Sequence, residues 1–453
     1  MSTPLRLATA PVASGGTLWV AYSGGGDSTA LLHLLRQQHS GRLRAVHVHH
    51  GLQPVADSWI GHCRRTCREL GISLRVLKVR VEDCGDGPEA AARRARYTAI
   101  AAVLRPGDVL ATAHHLDDQA ETVLLRAIRG TGISGLGAMA VTAPLAPGMI
   151  WRPLLGFRRQ QLRAYLRSQS LRWVEDPQNQ DSDYARVQLR NDVMPLLQRH
   201  FPQAAVSLAR LAARAQVADQ LLAELALEDL RRAGANETAW GVADSPADAL
   251  DIAALRTLSP QRRRNLLYQQ WRALGLQPPA EAWFERLDRE VIGARSDATP
   301  VLRSDAGEVR RYRDRLFLMP ALPPAPDAQM QLSWGHRRTL VLPPGCGELS
   351  APRVPHLQVR FARGGERLKP AGDRHTRTLK QLCQGAGIPP WGRERMPLLQ
   401  RDGQLLAIAD FWHSAEALES GLQVSWRHAI PGVPSPPGSR SGDHPVSQGA
   451  PIQ

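Results

Sequence analysis

The sequence is poor in lysine, and its positive charge comes almost entirely from arginine. Among 57 basic residues the lysines are Lys78, Lys369 and Lys380. The excess of 57 basic over 42 acidic residues gives a net charge of +15. Such an excess is typical of proteins that bind a phosphate backbone, and it predicts a nucleic-acid partner. A coding bias toward arginine is the alternative explanation of the same composition.

Cysteine and long apolar runs are also scarce. The five cysteines form no CxxC pair, which argues against a disulfide framework, a zinc ribbon or a redox pair and predicts a reducing, cytoplasmic compartment. No segment approaches the roughly 20 apolar residues that cross a bilayer, so we expect no membrane partner. The first 14 residues lack the architecture of a secretory signal. The cysteines are Cys63, Cys67, Cys84, Cys346 and Cys383.

The first 115 residues alternate apolar strand-like runs with helical patterns. Such alternation predicts an α/β fold with a doubly wound, mostly parallel sheet, in which ligands bind beyond the carboxyl ends of the strands. The predicted strands are 17–22, 43–48, 74–79 and 109–113, and the predicted helices lie near 28–38, 55–70 and 88–104.

Composition changes along the chain predict further domains, since 453 residues exceed the usual size of one domain. We expect the α/β domain to be followed by a helical domain, a proline-rich linker, a small α+β domain and a disordered tail. The helical domain contains an arginine cluster, 262–264, that either meets phosphates or forms a solvated face. The predicted boundaries are 1–202, 203–319, 320–330, 331–430 and 431–453.

A glycine-rich turn follows the first predicted strand. It consists of Ser23, Gly24, Gly25, Gly26, Asp27 and Ser28. The backbone N–H groups of such a turn and the positive end of the following helix dipole suit a phosphate, and the two serines add hydroxyl donors. A P-loop has lysine where this turn has Asp27. Because a carboxylate meets a phosphate only through a cation, Asp27 is either an Mg²⁺ ligand or a helix N-cap.

A second acidic motif, LDDQAET, follows the fourth predicted strand. A helix that begins near Asp117 would place Asp117 and Glu121 on one face, with Asp118 beside them. The helix dipole stabilises carboxylates at this end, so helix capping is one interpretation. Coordination of Mg²⁺ opposite Asp27 is the other.

Histidines follow both the second and the fourth predicted strands. His49 and His50 stand where a nucleotide would bind, unless they are loop residues without a role, and His47 is expected to face the sheet interior. His114 and His115 are adjacent and do not project to one point, which argues against a zinc site.

These motifs resemble those of known enzymes. The turn SGGGDS resembles the SGGxDS pyrophosphate loop of N-type ATP pyrophosphatases, and the stretch from His114 resembles the HHxxDQxET motif of tRNA(Ile)-lysidine synthetases. The resemblance implies an adenine nucleotide alpha hydrolase-like fold over roughly residues 17 to 200. It continues through 88–97, 126–130, 135–139, 151–154, 175–179 and 186–195, and returns at 377–382 and 387–391.

The resemblance implies an ATP-dependent ligase that forms a carbon–nitrogen bond. In this family, ATP adenylates the 2-carbonyl oxygen of the wobble cytidine of tRNA(Ile) with a CAU anticodon. The amine of free L-lysine then displaces AMP, which gives lysidine and leaves AMP and diphosphate as products. The modification changes codon specificity from AUG to AUA and amino-acid identity from Met to Ile. Adenylation is reasonable chemistry, because it converts a poor leaving oxygen into a good one.

Residue roles follow from the motifs and the resemblance. We expect the residues of the SGGGDS turn, together with His49, to bind ATP, and Asp27 and Asp118 to hold Mg²⁺. The predicted catalytic residues are Asp27, Asp118, His114, His115 and Arg190. The predicted tRNA contacts are Arg126, Arg129, Arg186, Arg190, Arg377, Lys380 and Trp391. Trp391 either stacks on a base or packs in a core after the preceding proline pair.

Two rival functions are weighed against this prediction. A tRNA 2-thiolation enzyme of the same superfamily would need catalytic cysteines, and no cysteine lies in the two strongest motifs. A non-catalytic RNA-binding relative would gain nothing from acidic groups beside RNA phosphates. The oligomeric state is left open, with a homodimer among the options.

Overall fold

The computed structural model describes residues 5–49, 56–81, 88–175, 185–233, 249–295, 297–353, 355–434 and 436. His50, Cys84, most of the motif at 175–179 and the tail from 437 lie outside these residues. The chain divides into two compact units, residues 1–221 and 222–453. The domain boundaries predicted from the sequence stay predictions.

The first unit alternates strands and helices. Its strands are β1 (Leu18–Ala21), β2 (Leu43–His49), β3 (Ser73–Lys78), β4 (Val109–Ala111), β5 (Thr142–Leu145) and β6 (Gly148–Trp151). Its helices are α1 (Gly26–Gln38), α2 (Ala56–Glu69), α3 (Pro88–Ala101), α4 (Leu116–Ile128), α5 (Ile133–Leu136), α6 (Arg159–Ser168), α7 (Ala185–Gln188), α8 (Met194–His200) and α9 (Ala204–Arg232), which continues into the second unit. A π-helical segment, Leu189–Val193, joins α7 to α8.

The strands form one sheet in the order β3-β2-β1-β4-β6-β5. β1 pairs in parallel with β2 and β4, and Val20 lies opposite Ala45 on one side and Ala111 on the other. β5 runs antiparallel to β6. The strand order therefore reverses between β1 and β4, and such a reversal opens a crevice at the carboxyl ends of the two strands. The prediction of a doubly wound, mostly parallel sheet is confirmed.

Side chains of β1 alternate between the two faces of the sheet. Leu18 and Val20 pack in a core with residues of α1 and α6, whereas Trp19 packs on the opposite face with Ile100 of α3. A strand buried on both faces reads as a continuous apolar run. This explains why β1 and β4 were predictable from the sequence, whereas β5 and β6 were not predicted.

The second unit combines helices with antiparallel sheets. Its first part contains β7 (Leu250–Asp251), α10 (Ile252–Thr257), α11 (Pro260–Ala273), α12 (Glu281–Leu287), β8 (Val301–Arg303), β9 (Glu308–Tyr312) and β10 (Arg315–Met319). A π-helical segment, Asp288–Ile292, follows α12. The four strands form a sheet in the order β7-β10-β9-β8. The purely helical domain predicted for 203–319 is therefore wrong in part, because its short, arginine-rich strands gave no clear apolar alternation.

The remainder of the second unit has the predicted α+β character. Its strands are β11 (Gln331–Trp334), β12 (Thr339–Val341), β13 (Glu348–Ser350), β14 (Leu357–Arg360), β15 (Arg367–Leu368), β16 (Arg377–Thr378), β17 (Leu398–Arg401), β18 (Gln404–Ile408), β19 (Trp412–His413) and β20 (Ser425–Arg427). Its helices are α13 (Leu379–Gly385), α14 (Pro390–Arg393) and α15 (Ala415–Glu419). The main sheet has the order β11-β14-β17-β18-β19. Phe317 and Met319 of β10 belong to the same hydrophobic core as this part.

The arginine cluster of α11 makes internal ion pairs. Arg262 Nη2 lies 2.6 Å from an oxygen of Asp229, which is fully buried, and Arg263 Nε lies 2.9 Å from Asp288 Oδ1. Arg264 pairs with Glu281. All three arginines are thus paired with acids of the same unit, and the Arg264–Glu281 pair is exposed to solvent; contact of the cluster with phosphates stays a prediction. Among the described residues no helix is long and apolar enough to span a membrane.

A buried carboxylate fixes the starts of β1 and β4. Asp108 accepts hydrogen bonds from Thr17 N at 2.8 Å, Trp19 Nε1 at 3.1 Å and Arg105 N at 3.0 Å. We expect Asp108→Ala to lower the free energy of unfolding by about 3 kcal/mol, because buried donors lose their acceptor. Urea denaturation followed by circular dichroism measures this loss. The exposed Glu69→Ala serves as control, and equal effects of the two substitutions would contradict the prediction.

Candidate active site

The SGGGDS turn connects β1 to α1 at the reversal of strand order. Gly24 has a φ of +90°, and a Cβ atom there would lie 3.1 Å from Cys63 Sγ. Only glycine therefore fits this position. The hydroxyl of Ser28 donates to Gly25 O at 3.0 Å, and the Ser23 and Ser28 hydroxyl oxygens lie 3.1 Å apart. The two serines thus fix the turn and present their oxygens on the same side.

Helix α1 begins without a side-chain cap. Its N-cap is Gly25, and Asp27 is the second residue of the helix. The interpretation of Asp27 as an N-cap is therefore wrong. Because no side chain caps this helix end, its first N–H groups and its dipole are available to an anion.

The start of α4 faces this turn and is capped by His115. His115 Nδ1 accepts the N–H of Asp118 at 3.3 Å, and Asp118 Oδ2 accepts the N–H of His115 at 3.1 Å. This reciprocal pair is a capping box made by an imidazole and a carboxylate. Since Nδ1 is an acceptor, the neutral imidazole carries its proton on Nε2.

His115 Nε2 brings the two predicted metal-binding carboxylates together. It lies 3.5 Å from Asp27 Oδ2 and 3.5 Å from Asp118 Oδ2. Both oxygens therefore lie beside one buried N–H group. Asp27, from the first crossover, and Asp118, from the fourth, thus approach the same imidazole, and their role as Mg²⁺ ligands stays a prediction.

Burial and charge have opposite effects on the two histidines. Burial lowers the pKa of His114 to about 3, so this imidazole is neutral at physiological pH. Its Nδ1 shares a hydrogen bond with Thr112 Oγ1 at 2.9 Å. Burial also acts to lower the pKa of His115, but the hydrogen bond with Asp27 and the charges of Asp118, Asp27 and Asp117 raise it above the usual value.

Asp118 is charged despite its burial. Burial opposes ionisation, but the charges of His115 and Arg186 hold the pKa of the Asp118 carboxyl below its usual range. Arg190 Nη2 also donates to Asp118 Oδ1 at 3.0 Å. The site therefore presents an anionic carboxylate at neutral pH.

Glu121 orients two arginines over this carboxylate. Arg190 donates to both carboxylate oxygens of Glu121, at 2.7 and 2.8 Å, and Arg186 Nε donates to the same group at 3.2 Å. Glu121 is almost fully buried. Arg190 lies in the π-helical segment, and such segments are frequent at functional sites. This role of Glu121 was not predicted from the sequence, although the i, i+4 spacing of Arg186 and Arg190 indicates a shared partner.

Asp117 has a structural role. Its Oδ2 accepts the backbone N–H of Arg159, the first residue of α6, at 2.7 Å. The three carboxylates of α4 therefore divide their tasks: Asp117 caps α6, Asp118 faces Asp27, and Glu121 holds the arginines. Among the described residues no group of three or more His, Cys, Asp and Glu side chains is arranged to hold a metal ion.

The histidines of β2 differ in their surroundings. His47 is buried, and its Nδ1 lies 2.9 Å from Tyr22 O, inside the sheet as predicted. His49 is the last residue of β2 and is also buried. This end of β2 lies beside the end of β1, on the edge of the sheet that carries the SGGGDS turn. The role of His49 in ATP binding stays a prediction.

The basic residues predicted to contact tRNA fall into two groups. Arg129, Arg377 and Lys380 are exposed, and Arg377 pairs with Asp373 at 2.9 Å. Arg126 is half-buried and donates to the backbone oxygens of the loop after α4, so it has a structural task there. Contacts of these residues with tRNA stay predictions.

Trp391 is a core residue. It is 2% exposed, its indole N–H donates to Pro431 O at 2.8 Å, and its ring packs on Phe317 with centroids 5.3 Å apart. The predicted role of Trp391 as a base-stacking surface is therefore wrong, because no face of the ring is available.

Comparison with known proteins accounts for this arrangement. Family models match the chain as a PP-loop domain at 5–197, a TilS substrate binding domain at 250–317 and a TilS substrate C-terminal domain at 357–428. The tRNA(Ile)-lysidine synthase of Alkalilimnicola ehrlichii is 44% identical over 86% of this chain and 88% of its own length. This chain belongs to the tRNA(Ile)-lysidine synthase family.

Two further relatives also match over most of their own length and most of this chain. The tRNA(Ile)-lysidine synthase of Pseudomonas aeruginosa is 44% identical, over 94% of this chain and 97% of its own. That of Xanthomonas campestris pv. campestris is 42% identical, over 91% and 95%. The resemblance inferred from the two motifs is confirmed, and the protein is an ATP-dependent ligase of the PP-loop class that acts in tRNA modification.

The pairing of Glu121 with two arginines leads to a prediction about stability. We expect Glu121→Gln to lower the free energy of unfolding by about 2 kcal/mol, because an amide cannot balance two guanidinium charges. Urea denaturation gives the value. The control is Asp192→Asn, an exposed acid in the same π-helical segment as Arg190, and it should change stability by less than about 0.5 kcal/mol. A Glu121→Gln protein as stable as this control would refute the inference.

Proposed function

We propose that this enzyme joins free L-lysine to carbon 2 of the wobble cytidine in a tRNA(Ile) with a CAU anticodon. ATP adenylates the 2-carbonyl oxygen, with release of diphosphate, and the lysine amine then displaces AMP. The lysidine so formed changes codon specificity from AUG to AUA and amino-acid identity from Met to Ile. The observation that carries the proposal is the contact of Asp27 and Asp118 with one imidazole beside the uncapped start of α1.

The start of α1 binds the phosphates of ATP in this proposal. Its unused N–H groups, its dipole and the hydroxyls of Ser23 and Ser28 all favour an anion at the SGGGDS turn. A grip on the outgoing diphosphate promotes cleavage between the α and β phosphates. The turn needs no lysine in this proposal, because Asp27 binds a cation there.

Asp27 and Asp118 have the chemistry of Mg²⁺ ligands. Both offer carboxylate oxygens beside the same nitrogen atom, and Mg²⁺ is commonly bound by one or two carboxylates together with substrate phosphates and water. When bound, the ion neutralises charge on the diphosphate. His115 keeps both carboxylates in place, and neutral His114 lies next to it on the approach to the phosphates.

Arg186 and Arg190 stabilise the negative charge that develops on the phosphates during adenylation. Glu121 fixes their direction, so that two guanidinium groups lie over Asp118 before any substrate binds. Preorganised donors of this kind stabilise a transition state without the cost of reorganisation. We assign Arg190 to the α-phosphate region and Arg186 to ATP or the RNA backbone.

The described cysteines do not favour the rival thiolation reaction. Cys63, Cys67, Cys346 and Cys383 are all buried. Burial raises the pKa of Cys63, Cys67 and Cys383 to about 12 and that of Cys346 to about 11. Thiols with such pKa values are protonated at neutral pH and are poor nucleophiles.

The remaining assignments concern location and partners. We place the reaction in the cytoplasm, where both tRNA and ATP are available. Arg129, Arg377 and Lys380 are assigned to the tRNA backbone because their charges are exposed. The paired carboxylates, the imidazole and both arginines come from one chain, so each chain can form a site by itself. The scheme is therefore compatible with a homodimer that has one site in each subunit.

Labelled lysine tests the proposed reaction. Purified protein is incubated with ATP, Mg²⁺, labelled lysine and a tRNA(Ile) transcript that carries a CAU anticodon. We expect label in this transcript and none in a matched transcript whose wobble cytidine is replaced by uridine. Pyrophosphate release that depends on tRNA but leaves the RNA unlabelled would reject lysine as the nucleophile.

Asp118→Asn tests the metal assignment. We expect ATP/diphosphate exchange to fall about 100-fold or more, because a neutral amide is a poor Mg²⁺ ligand, while the circular-dichroism spectrum at the assay temperature remains that of the folded wild type. The neighbouring Asp117→Asn is the matched control, since an amide oxygen can still accept the N–H of Arg159. Near-normal exchange in the Asp118→Asn protein would remove Asp118 from the site.

A further inference from the structure

An exposed aromatic ring lies in the turn between α8 and α9. Phe201 exposes 66% of its surface, and no other aromatic side chain in the described part of the chain is exposed. The preceding residues, Arg199 and His200, are exposed as well. An exposed ring beside cationic side chains can stack on an unpaired base while the cations meet neighbouring phosphates.

Hydrogen bonds fasten this turn to the active site. Asp117, in the first turn of α4, accepts the N–H of Arg159 at the start of α6 at 2.7 Å. The preceding residue, Arg158, donates from Nη2 to Gln203 Oε1 at 3.0 Å. Gln203 follows Phe201 by two residues. The turn that carries the ring is therefore held at a set place relative to α4. Two basic residues are close to the ring in this arrangement: Arg199 precedes it by two residues, and Arg158 contacts Gln203, which follows it by two.

The helix provides a second connection and sets the distance. Arg190, which pairs with Asp118, precedes Phe201 by eleven residues of nearly continuous helix. At 1.5 Å per residue the backbones of Arg190 and Phe201 lie about 16 Å apart along the helix. A lysine molecule in the site does not extend that far, whereas an RNA loop that inserts one cytidine does.

We propose that Phe201 is a stacking platform for an unpaired base of the tRNA anticodon loop, with Arg158 and Arg199 at the adjacent phosphates. The inference rests on the proposed function, because the modified cytidine decides which RNA loop approaches the turn that carries Phe201. Stacking supplies orientation that exposed charges alone do not, since an aromatic face accepts a base in one plane.

Substitutions that separate stacking from apolar contact test the platform. Phe201→Leu keeps an apolar side chain without an aromatic face, and Phe201→Trp restores a face. Fluorescence anisotropy measures the Kd of each variant for the labelled anticodon stem-loop. We expect Phe201→Leu to raise Kd roughly 5- to 100-fold and Phe201→Trp to stay within about twofold of the wild type. Wild-type affinity of the Phe201→Leu protein would overturn the proposal.

Two further readouts distinguish a platform from a structural residue. In steady-state assays, Phe201→Leu should raise KM for tRNA and leave KM for ATP and for lysine unchanged. A stem-loop with 2-aminopurine at one loop position after another should show a position that the wild type quenches and the Phe201→Leu protein does not. A raised KM for ATP, or an oligomer that dissociates on substitution, would place the ring on the nucleotide or in a subunit interface and overturn the proposal.

Val217→Ala is the matched control. Val217 is 60% exposed on α9, and its neighbours Gln216 and Ala218 carry no charge. It should leave the Kd for the stem-loop unchanged, and a loss equal to that of Phe201→Leu would contradict a specific platform. Wild-type protein that forms no lysidine would count against the proposed function, whereas normal lysidine formation with an unaffected Phe201→Leu protein would count against this inference alone.

Arg199→Gln tests the electrostatic part of the platform. The plot of log Kd against log salt concentration should become shallower by about one unit, as expected when one phosphate contact is lost. An unchanged slope would show that Arg199 makes no phosphate contact and would overturn this part of the proposal.

Discussion

The contact of His115 with Asp27 and Asp118 connects the two loops on which the site depends. The reversal of strand order between β1 and β4 places these loops at the same edge of the sheet, and the capping box then fixes the imidazole that both carboxylates approach. The sheet by itself would bring two acidic loops together at an electrostatic cost. The buried imidazole of His115 lies between the carboxylates, their charges raise its pKa, and its N–H group offsets their repulsion.

A second set of ion pairs compensates the charge of Asp118. Arg186 and Arg190 bind Glu121 and Asp118 together, so the acidic end of α4 is nearly neutralised before any substrate arrives. An RNA-modifying enzyme needs this compensation, because uncovered carboxylates would repel both ATP and the phosphates of its RNA substrate. Glu121 thus sets the direction of the arginines without itself facing the substrate.

Sequence patterns revealed the catalytic unit well, because its determinants are local. Apolar runs predicted four of the six strands, and the turn at Ser23–Ser28 and the motif at His114 predicted the two loops. What escaped prediction depends on distant partners: Asp117 caps another helix, Glu121 holds arginines 65 and 69 residues away, and the arginines of α11 pair inside their own unit. The short strands β7 to β10 were missed for the same reason, since they form by pairing with distant segments and their sequences show no clear alternation of apolar and polar residues.

Trp391 and Phe201 show how burial decides between two uses of the same residue type. Each is an aromatic residue between a proline and nearby basic residues, so the local sequence favours base stacking equally for both. The fold buries Trp391 against Phe317 and exposes Phe201. A net charge of +15 attracts any RNA, and the attraction weakens as salt is added. Selection of one loop therefore requires a contact with direction, and we propose that the exposed ring of Phe201, held beside the start of α6 through Gln203 and Arg158, is that contact.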